Sequence, residues 1–247
     1  MLRQRRRVFL LFIAATLVAT AAALRAQVRQ ETPGGANAPT PIDEGRKSER
    51  QKKHGRLFGY SGEKLSDKAK KQTGDVEVIM HADTMRTVDP DAPKPDPTQF
   101  ATCNADAIVV GTLTSKASQL TEDGSFIFTD YEMAVEEVLK DDAAAPVQTG
   151  GLITVTREGG EVSLRGRVLR AKRAGFKSAE VGGRYLLFLK RIPDTGSYLS
   201  YPNGSFLLGG ERITPLGDSG GDVVGAKGLP ALSDEIRAFA AQGCAQR

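Results

Sequence analysis

The chain has 247 residues, 40% of them hydrophobic, with 34 Lys and Arg, 30 Asp and Glu, two cysteines and no tryptophan. The formal charge of +4 and a pI near 9.1 suggest a polyanion partner, but the excess lies at one end. Without Arg3, Arg5, Arg6, Arg7 and Arg25, 29 bases face 30 acids, a net of −1, which excludes a bulk-basic nucleic-acid binder.

Residues 1–26 read as a secretory signal peptide: basic "MLRQRRR", the 17-residue apolar run "VFLLFIAATLVATAAAL", then small residues for cleavage after Ala26 or Ala23. The alternative is an uncleaved anchor, since 17 apolar residues only just span a bilayer. No cysteine follows the run to carry a lipid, and its strongly apolar core argues against a twin-arginine signal. Residues 27–74, with "RQETPGGANAPTPIDEGRKSERQKK", have too few large apolar side chains to offset ordering entropy and read as a disordered arm. In residues 75–99, "DVEVIM" alternates as a possible strand and "DPDAPKPDP" reads as a Pro-rich linker, placing a domain boundary near residue 98.

From Phe100 the chain turns β-rich. "ADAIVVGTLTSKA" and "SFIFTDYEMAVEEVLK" flank an Asp123-Gly124 hairpin signal, and the broken alternation of the second run predicts a bend or bulge near Thr129. "GLITVTRE", "EVSLRGRVLR", "RYLLFLKRI" and "GSFLLGG" follow as further strands. "LPALSDEIRAFAAQG" predicts a helix capped by Ser233 or Asp234, with Ile236, Phe239 and Ala240 on its apolar face and Gly243 as its stop. The fold class expected for 100–247 is all-β, a five- to six-stranded barrel or sandwich with a C-terminal helix.

In an oxidising compartment the even pair Cys103 and Cys244 reads as one disulfide, closing a loop of about 140 residues worth roughly 4–5 kcal/mol. Two buried free thiols are the alternative.

"FATCNADAIVVGTL" resembles the opening of netrin-like domains, which include tissue inhibitors of metalloproteinases, at Cys103, Asn104, Asp106, Val109, Val110 and Gly111. "YEMAVEEVLKDD" resembles the family's second strand at Val138, Leu139 and Lys140; "VGGRYLLFLK" resembles a later one at Gly183, Tyr185, Leu186, Phe188 and Leu189. The resemblance spans roughly 100–244 and implies an OB-type barrel, an extracytoplasmic location and a bridge from the first strand to the closing helix. Tissue inhibitors chelate protease zinc through a free N-terminal Cys-X-Cys. Here Cys103 has no companion two residues away and some 76 mature residues precede it, so zinc-protease inhibition does not follow.

"PLGDSGGDVVG" contains the GDSGG that surrounds a trypsin-like nucleophile, here Ser219. A triad needs a base and an orienting acid. His54 and His81 are the only histidines, and Asp130 lies between His81 and Ser219. The sequence around His81 and Asp130 lacks protease-like settings, and the chain from His81 to the closing helix is too short for two barrels. Gly, Asp and Ser are turn formers, so the stretch reads as a turn, and a serine hydrolase is the weakest alternative. Arg165, Arg167, Arg170, Lys172, Arg173 and Lys177 form an acid-free basic stretch, a candidate polyanion site in a second alternative. "NGS" at Asn203–Ser205 matches a glycosylation acceptor but is also turn chemistry. Glu136 and Glu137 diverge on their strand, and His81 with Asp83 is too small a set for a metal site.

The expectation is an exported, periplasmic or extracellular, non-enzymatic module that binds a protein or surface polymer. No catalytic residue, cofactor, metal or nucleic acid is expected. Membrane contact is expected only if the apolar run stays uncleaved, and the chain is expected to be a monomer.

Overall fold

The computed structural model describes residues 35–42, 49–58, 63–81, 96–210, 212–224 and 227–243. The apolar run with Ala23 and Ala26, most of the proline stretch, Asp83 and Cys244 lie outside the described residues. Strand β1 (Thr40–Pro41), helices α1 (Glu49–Gly55) and α2 (Leu65–Lys71), β2 (Val76–Met80) and α3 (Pro97–Asn104) come first. They precede β3 (Ala107–Leu120), β4 (Ile127–Lys140), β5 (Leu152–Glu158), β6 (Gly160–Leu164), β7 (Arg167–Arg173), β8 (Arg184–Ile192), β9 (Ser197–Gly209) and β10 (Arg212–Pro215). A one-turn 3-10 helix (Asp218–Gly220), α4 (Gly221–Val224) and α5 (Leu229–Gln242) follow.

The protein is mostly β, with a ring-like sheet and a C-terminal helix. The sheet runs β10-β9-β5-β4-β3-β8, and β8 pairs back to β9, which closes five strands into a ring. All ring pairings are antiparallel except β5 with β9, where Val155 faces Tyr198 and Thr156 faces Leu199. "AIVV" is continuously apolar because both faces of β3 are covered. Val109 joins Met133, Val155, Leu187 and Leu189 in one core cluster. Ile108 and Val110 join another, with Leu232 and Ile236 of α5. Gly111 is required by close approach: a Cβ there would lie 2.3 Å from the Ala134 carbonyl oxygen.

Four expectations need correction. The arm of 27–74 is not disordered over 49–58 and 63–74, and no boundary falls near residue 98. Phe58, Leu65, Ala69, Val76 and Val78 share a buried cluster with Phe126, Ile127, Phe128 and Leu169, and from Ala36 on the chain is one compact unit. The physical reason is that short lysine-rich helices need few apolar contacts of their own when a barrel hairpin supplies the partner surface. In the second sheet, ordered β1-β6-β7-β2, β1 runs parallel to β6 and β2 parallel to β7.

Second, Thr129 is no bend. It pairs with Ser118 in unbroken register, and the irregularities fall near Ile108, Gly111 and Thr114 of β3. The alternation of "SFIF" fails because Phe126, Ile127 and Phe128 are all buried under the docked arm. Third, "EVSLRGRVLR" is a hairpin rather than one strand. Arg165 (φ 51) and Gly166 (φ 76) form its two-residue turn. Fourth, α5 starts at Leu229, ahead of Ser233, because Pro230 stands in its first turn, where the missing N–H is not needed.

Leu65 is fully buried in the arm cluster. Leu65→Ala is expected to lower the unfolding free energy by roughly 2–5 kcal/mol in one cooperative urea transition. An unchanged midpoint would show that the arm does not pack on the ring.

Candidate functional site

Helix α1 delivers one buried side chain to the ring. His54 is fully buried, its Nδ1 lying 2.9 and 3.0 Å from the Asp130 carboxylate oxygens and its Nε2 2.7 Å from Ser197 Oγ and 2.9 Å from Thr195 Oγ1. Thr156 Oγ1 donates to Asp130 at 2.6 Å, and Lys53 Nζ donates to the Asp194 carbonyl at 3.2 Å. The carboxylate only accepts, so Nδ1 donates to it, and Nε2 is shared between the Ser197 and Thr195 hydroxyls, which can each donate or accept.

The atom order Ser197–His54–Asp130 is that of a catalytic triad. The surroundings are not. Ser197 is fully buried on β9. The amides of Thr195 and Gly196, which precede it, both donate to the Ile192 carbonyl, at 3.2 and 3.0 Å, instead of facing a developing oxyanion. The cluster is a latch that pins α1 to the ring. Asp130 is partnered with His54, whose other described partners, Thr156, Thr195 and Ser197, lie on β5, in the β8–β9 turn and on β9 rather than in the 217–221 turn. Ser219 lies in the 3-10 turn, its side chain outside the described part, and His81 is exposed at the end of β2.

Four of the six residues of the basic stretch lie on β7, and each of these four has a partner of its own. Arg170 reaches Asp75 and Glu161 at 3.3 and 3.2 Å, Lys172 reaches Glu77 at 3.1 Å and Arg173 reaches Glu158 at 2.6 Å. Arg167 donates to the Ala69 and Gln72 carbonyls at the end of α2. Arg165 sits at the hairpin turn, and Lys177 is exposed beyond β7. The window lacks acids, but strands β2, β5 and β6 bring them.

Sequence reasoning missed Arg157. Its side chain is buried, with the guanidinium 4.0 Å from the centre of the Phe176 ring and Nη2 donating to the Lys177 carbonyl at 3.1 Å. Nε has no partner, and no carboxylate lies within ion-pair distance among the described residues. Burial pushes the guanidinium's pKa down and the phenols of Tyr131 and Tyr185 up.

A cleft of about 630 Å³ opens on the far side of the ring strands, between α3 and the middle of β9. Helix α3 is fixed there by three contacts. Asp96 accepts from the Gln99 amide at 2.9 Å, and Thr98 Oγ1 donates to the Val223 carbonyl at 2.9 Å. Lys140 Nζ donates to the Thr102 and Ala105 carbonyls at 2.8 and 2.5 Å, a cation at a helix C-terminus. Of the five large hydrophobic side chains exposed among the described residues, the two aromatic ones, Phe100 and Tyr201, both line this cleft. Cys103 is on α3, which packs against α5, and Cys244 lies outside the described residues. No protein-family model matches the chain, and no curated protein matches it.

Combining His54→Ala with Asp130→Asn in a double-mutant cycle is expected to give a coupling of about 0.5–3 kcal/mol. Hydrogen exchange of the α1 amides is expected to speed up in His54→Ala. Arg157→Met is expected to leave the thermal midpoint unchanged or raise it, since an apolar side chain in place of a buried charge is often neutral or stabilising.

Proposed function

We propose that the chain is an exported, non-enzymatic binding module that recognises a protein or surface polymer outside the cytoplasm through the cleft between α3 and β9. One observation carries the reading: a concave, largely apolar site whose two aromatic side chains, Phe100 and Tyr201, are 48% and 47% exposed. Ligand sites have this character, with volumes of about 300–1,000 Å³ and a few polar groups on apolar walls. Buried aromatics contribute to a core; half-exposed ones sharing a cleft add nothing to folding that burial would not improve.

The ring itself is proposed to be of the OB type and netrin-like. Numbering its strands in chain order, neighbours run first, second, third, fifth, fourth and back to first, with the third and fifth parallel, which supports that reading. Lys140, one of the residues carrying the resemblance, holds the C-terminal turn of α3. A Cys103–Cys244 bridge is proposed on the same basis and is supported by the packing of α3 on α5. Export is supported by the apolar run at 8–24.

The mature chain, arm included, is the bait for the test. Retention of envelope or medium components is expected to fall for Phe100→Ala and Tyr201→Ala at unchanged thermal midpoints, and to survive neutralisation of Arg170, Lys172 and Arg173. A fluorophosphonate probe is expected not to label the chain. Labelling that disappears in Ser219→Ala or Ser197→Ala would replace the binding reading with a hydrolase.

A further inference from the structure

We infer that the cleft between α3 and β9 takes the rings of a neutral polysaccharide. This rests on the binding reading above and narrows it to one ligand class.

The first observation is a built irregularity in β9. Leu187 pairs with Ser205 and Leu189 with Ser200, so Tyr201–Gly204 stand opposite Phe188 alone. Four residues against one is a large bulge, the device by which a sheet re-aims side chains beside a site. Its neck is pinned from within. Buried Ser205 Oγ donates to the Tyr201 carbonyl at 2.7 Å and lies 2.6 Å from Ser200 Oγ. A Cβ on Gly204 would lie 2.7 Å from Phe188 Cβ, so the bulge sits directly on the ring. The distortion has a packed base and an exposed tip. The tip is Tyr201 and Asn203, both exposed.

The second observation is that the opposite wall repeats this chemistry. Phe100 and Asn104 are four apart on α3, hence on one helix face, and both are exposed and line the cleft. Each wall thus offers one aromatic face and one carboxamide. The floor between them is apolar, with Phe188 of β8 and Ala101 of α3.

The third observation concerns charge. Among the described residues Lys190 is the only charged one on the lining, and its Nζ lies 2.7 Å from Asp106 Oδ1. Burial pushes the Asp106 carboxyl up, but the Lys190 hydrogen bond and the Arg191 amide, 2.8 Å away, outweigh it and hold the carboxyl below its ordinary range. Asp106 thus partners Lys190, and Lys140, the other cation beside this pair, is turned to the Thr102 and Ala105 carbonyls, so the lining presents no unpartnered charge to a ligand.

These features select a ligand with apolar ring faces, hydroxyl edges and no charge. A pyranose presents C–H groups on its faces, which suit aromatic rings. Its hydroxyls both donate and accept, which a carboxamide answers with both kinds of group. Asn104 Nδ2 donates to the Phe100 carbonyl at 2.8 Å, which fixes its carboxamide on the wall; a lipid tail would leave its oxygen and the Asn203 carboxamide unmatched at a buried contact, which is costly. A proline-rich peptide would use the aromatics alone.

The test is affinity electrophoresis of the intact mature protein through gels holding a soluble β-1,4-glucan, an α-1,6-glucan or a mannan, alongside a proline-rich peptide titration. Retardation is expected in at least one glycan gel. The apparent affinity is expected to drop roughly tenfold or more in Phe100→Ala and in Tyr201→Ala. Leu152→Ala, which trims a still more exposed apolar residue outside the cleft lining, is expected to change nothing. No retardation by any glycan, or retardation indifferent to Phe100 and Tyr201, overturns the inference. Peptide binding that depends on Phe100 and Tyr201 without glycan binding overturns it too, while leaving the cleft as a binding site. If the two aromatic substitutions change neither glycan, peptide nor envelope retention, the binding reading falls with it.

Discussion

Two fourteen-residue strands paired along most of their length cannot both fit inside a five-strand ring, and the rest of the molecule follows from that excess. Strand β3 meets β8 only from Ala107 to Thr112, and β4 meets β5 only from Phe128 to Ala134. Beyond Leu113 the β3–β4 hairpin runs on, carrying Leu120, Phe126, Ile127 and Phe128, all buried. Three neighbouring phenylalanine and isoleucine side chains left in water would cost on the order of 1.5–3 kcal/mol each. The arm and the β6–β7 hairpin cover them, joined into a second sheet by the parallel pairings of β1 and β2. The arm is therefore part of the domain, because the hairpin it covers is longer than the ring needs.

Covering that side of the ring commits its polar groups as well. Asp130, Thr156 and Ser197 meet α1 where it docks; Thr156 already donates to Asp130 and Ser197 lies 2.5 Å from Thr195 Oγ1, but each has hydrogen-bonding capacity left to satisfy. His54 answers all three with one side chain, using both ring nitrogens. That is why the atoms fall in triad order without a triad's accessibility: the hydrogen-bonding demands of a buried Asp and Ser are the same in a latch as in an active site. Exposure and free oxyanion donors separate the two; here Ser197 is buried and the Thr195 and Gly196 amides are taken by the Ile192 carbonyl.

Strand content, the Asp123-Gly124 hairpin and the closing helix were legible in the sequence because alternation and turn residues are local signals. The arm was not. "ERQKKHG" and "LSDKAKK" each bury only one or two residues of seven, so composition sees solvated helices, and the surface that completes them lies more than fifty residues away. The basic stretch misled for the same reason. Its counter-charges, Asp75 and Glu77, arrive through a parallel pairing that no window of sequence contains. Asn203-Gly204 was readable as turn chemistry, but that the turn is a bulge in the middle of a strand depends on β8 continuing past it.

The two faces of the ring then differ in how their polar and apolar groups are closed off. On the arm side the ionisable latch is sealed, and the charges around it are paired across strands. On the α3 side the fixed elements stop short. Helix α3 is tied at both ends, by Thr98 to α4 and by Lys140 to β4, and the bulge is pinned by Ser200 and Ser205, yet the aromatic rings between them are left half in water. A fold that needed these side chains for stability would bury them by closing the gap, since each is already next to an apolar floor. Rigid walls holding exposed rings apart are what pre-organised recognition requires, because the cost of ordering them is met at folding and need not be met again on binding. Buried clusters thus hold the ring both under the arm and under α5, and the proposed ligand surface is the gap left between α3 and β9.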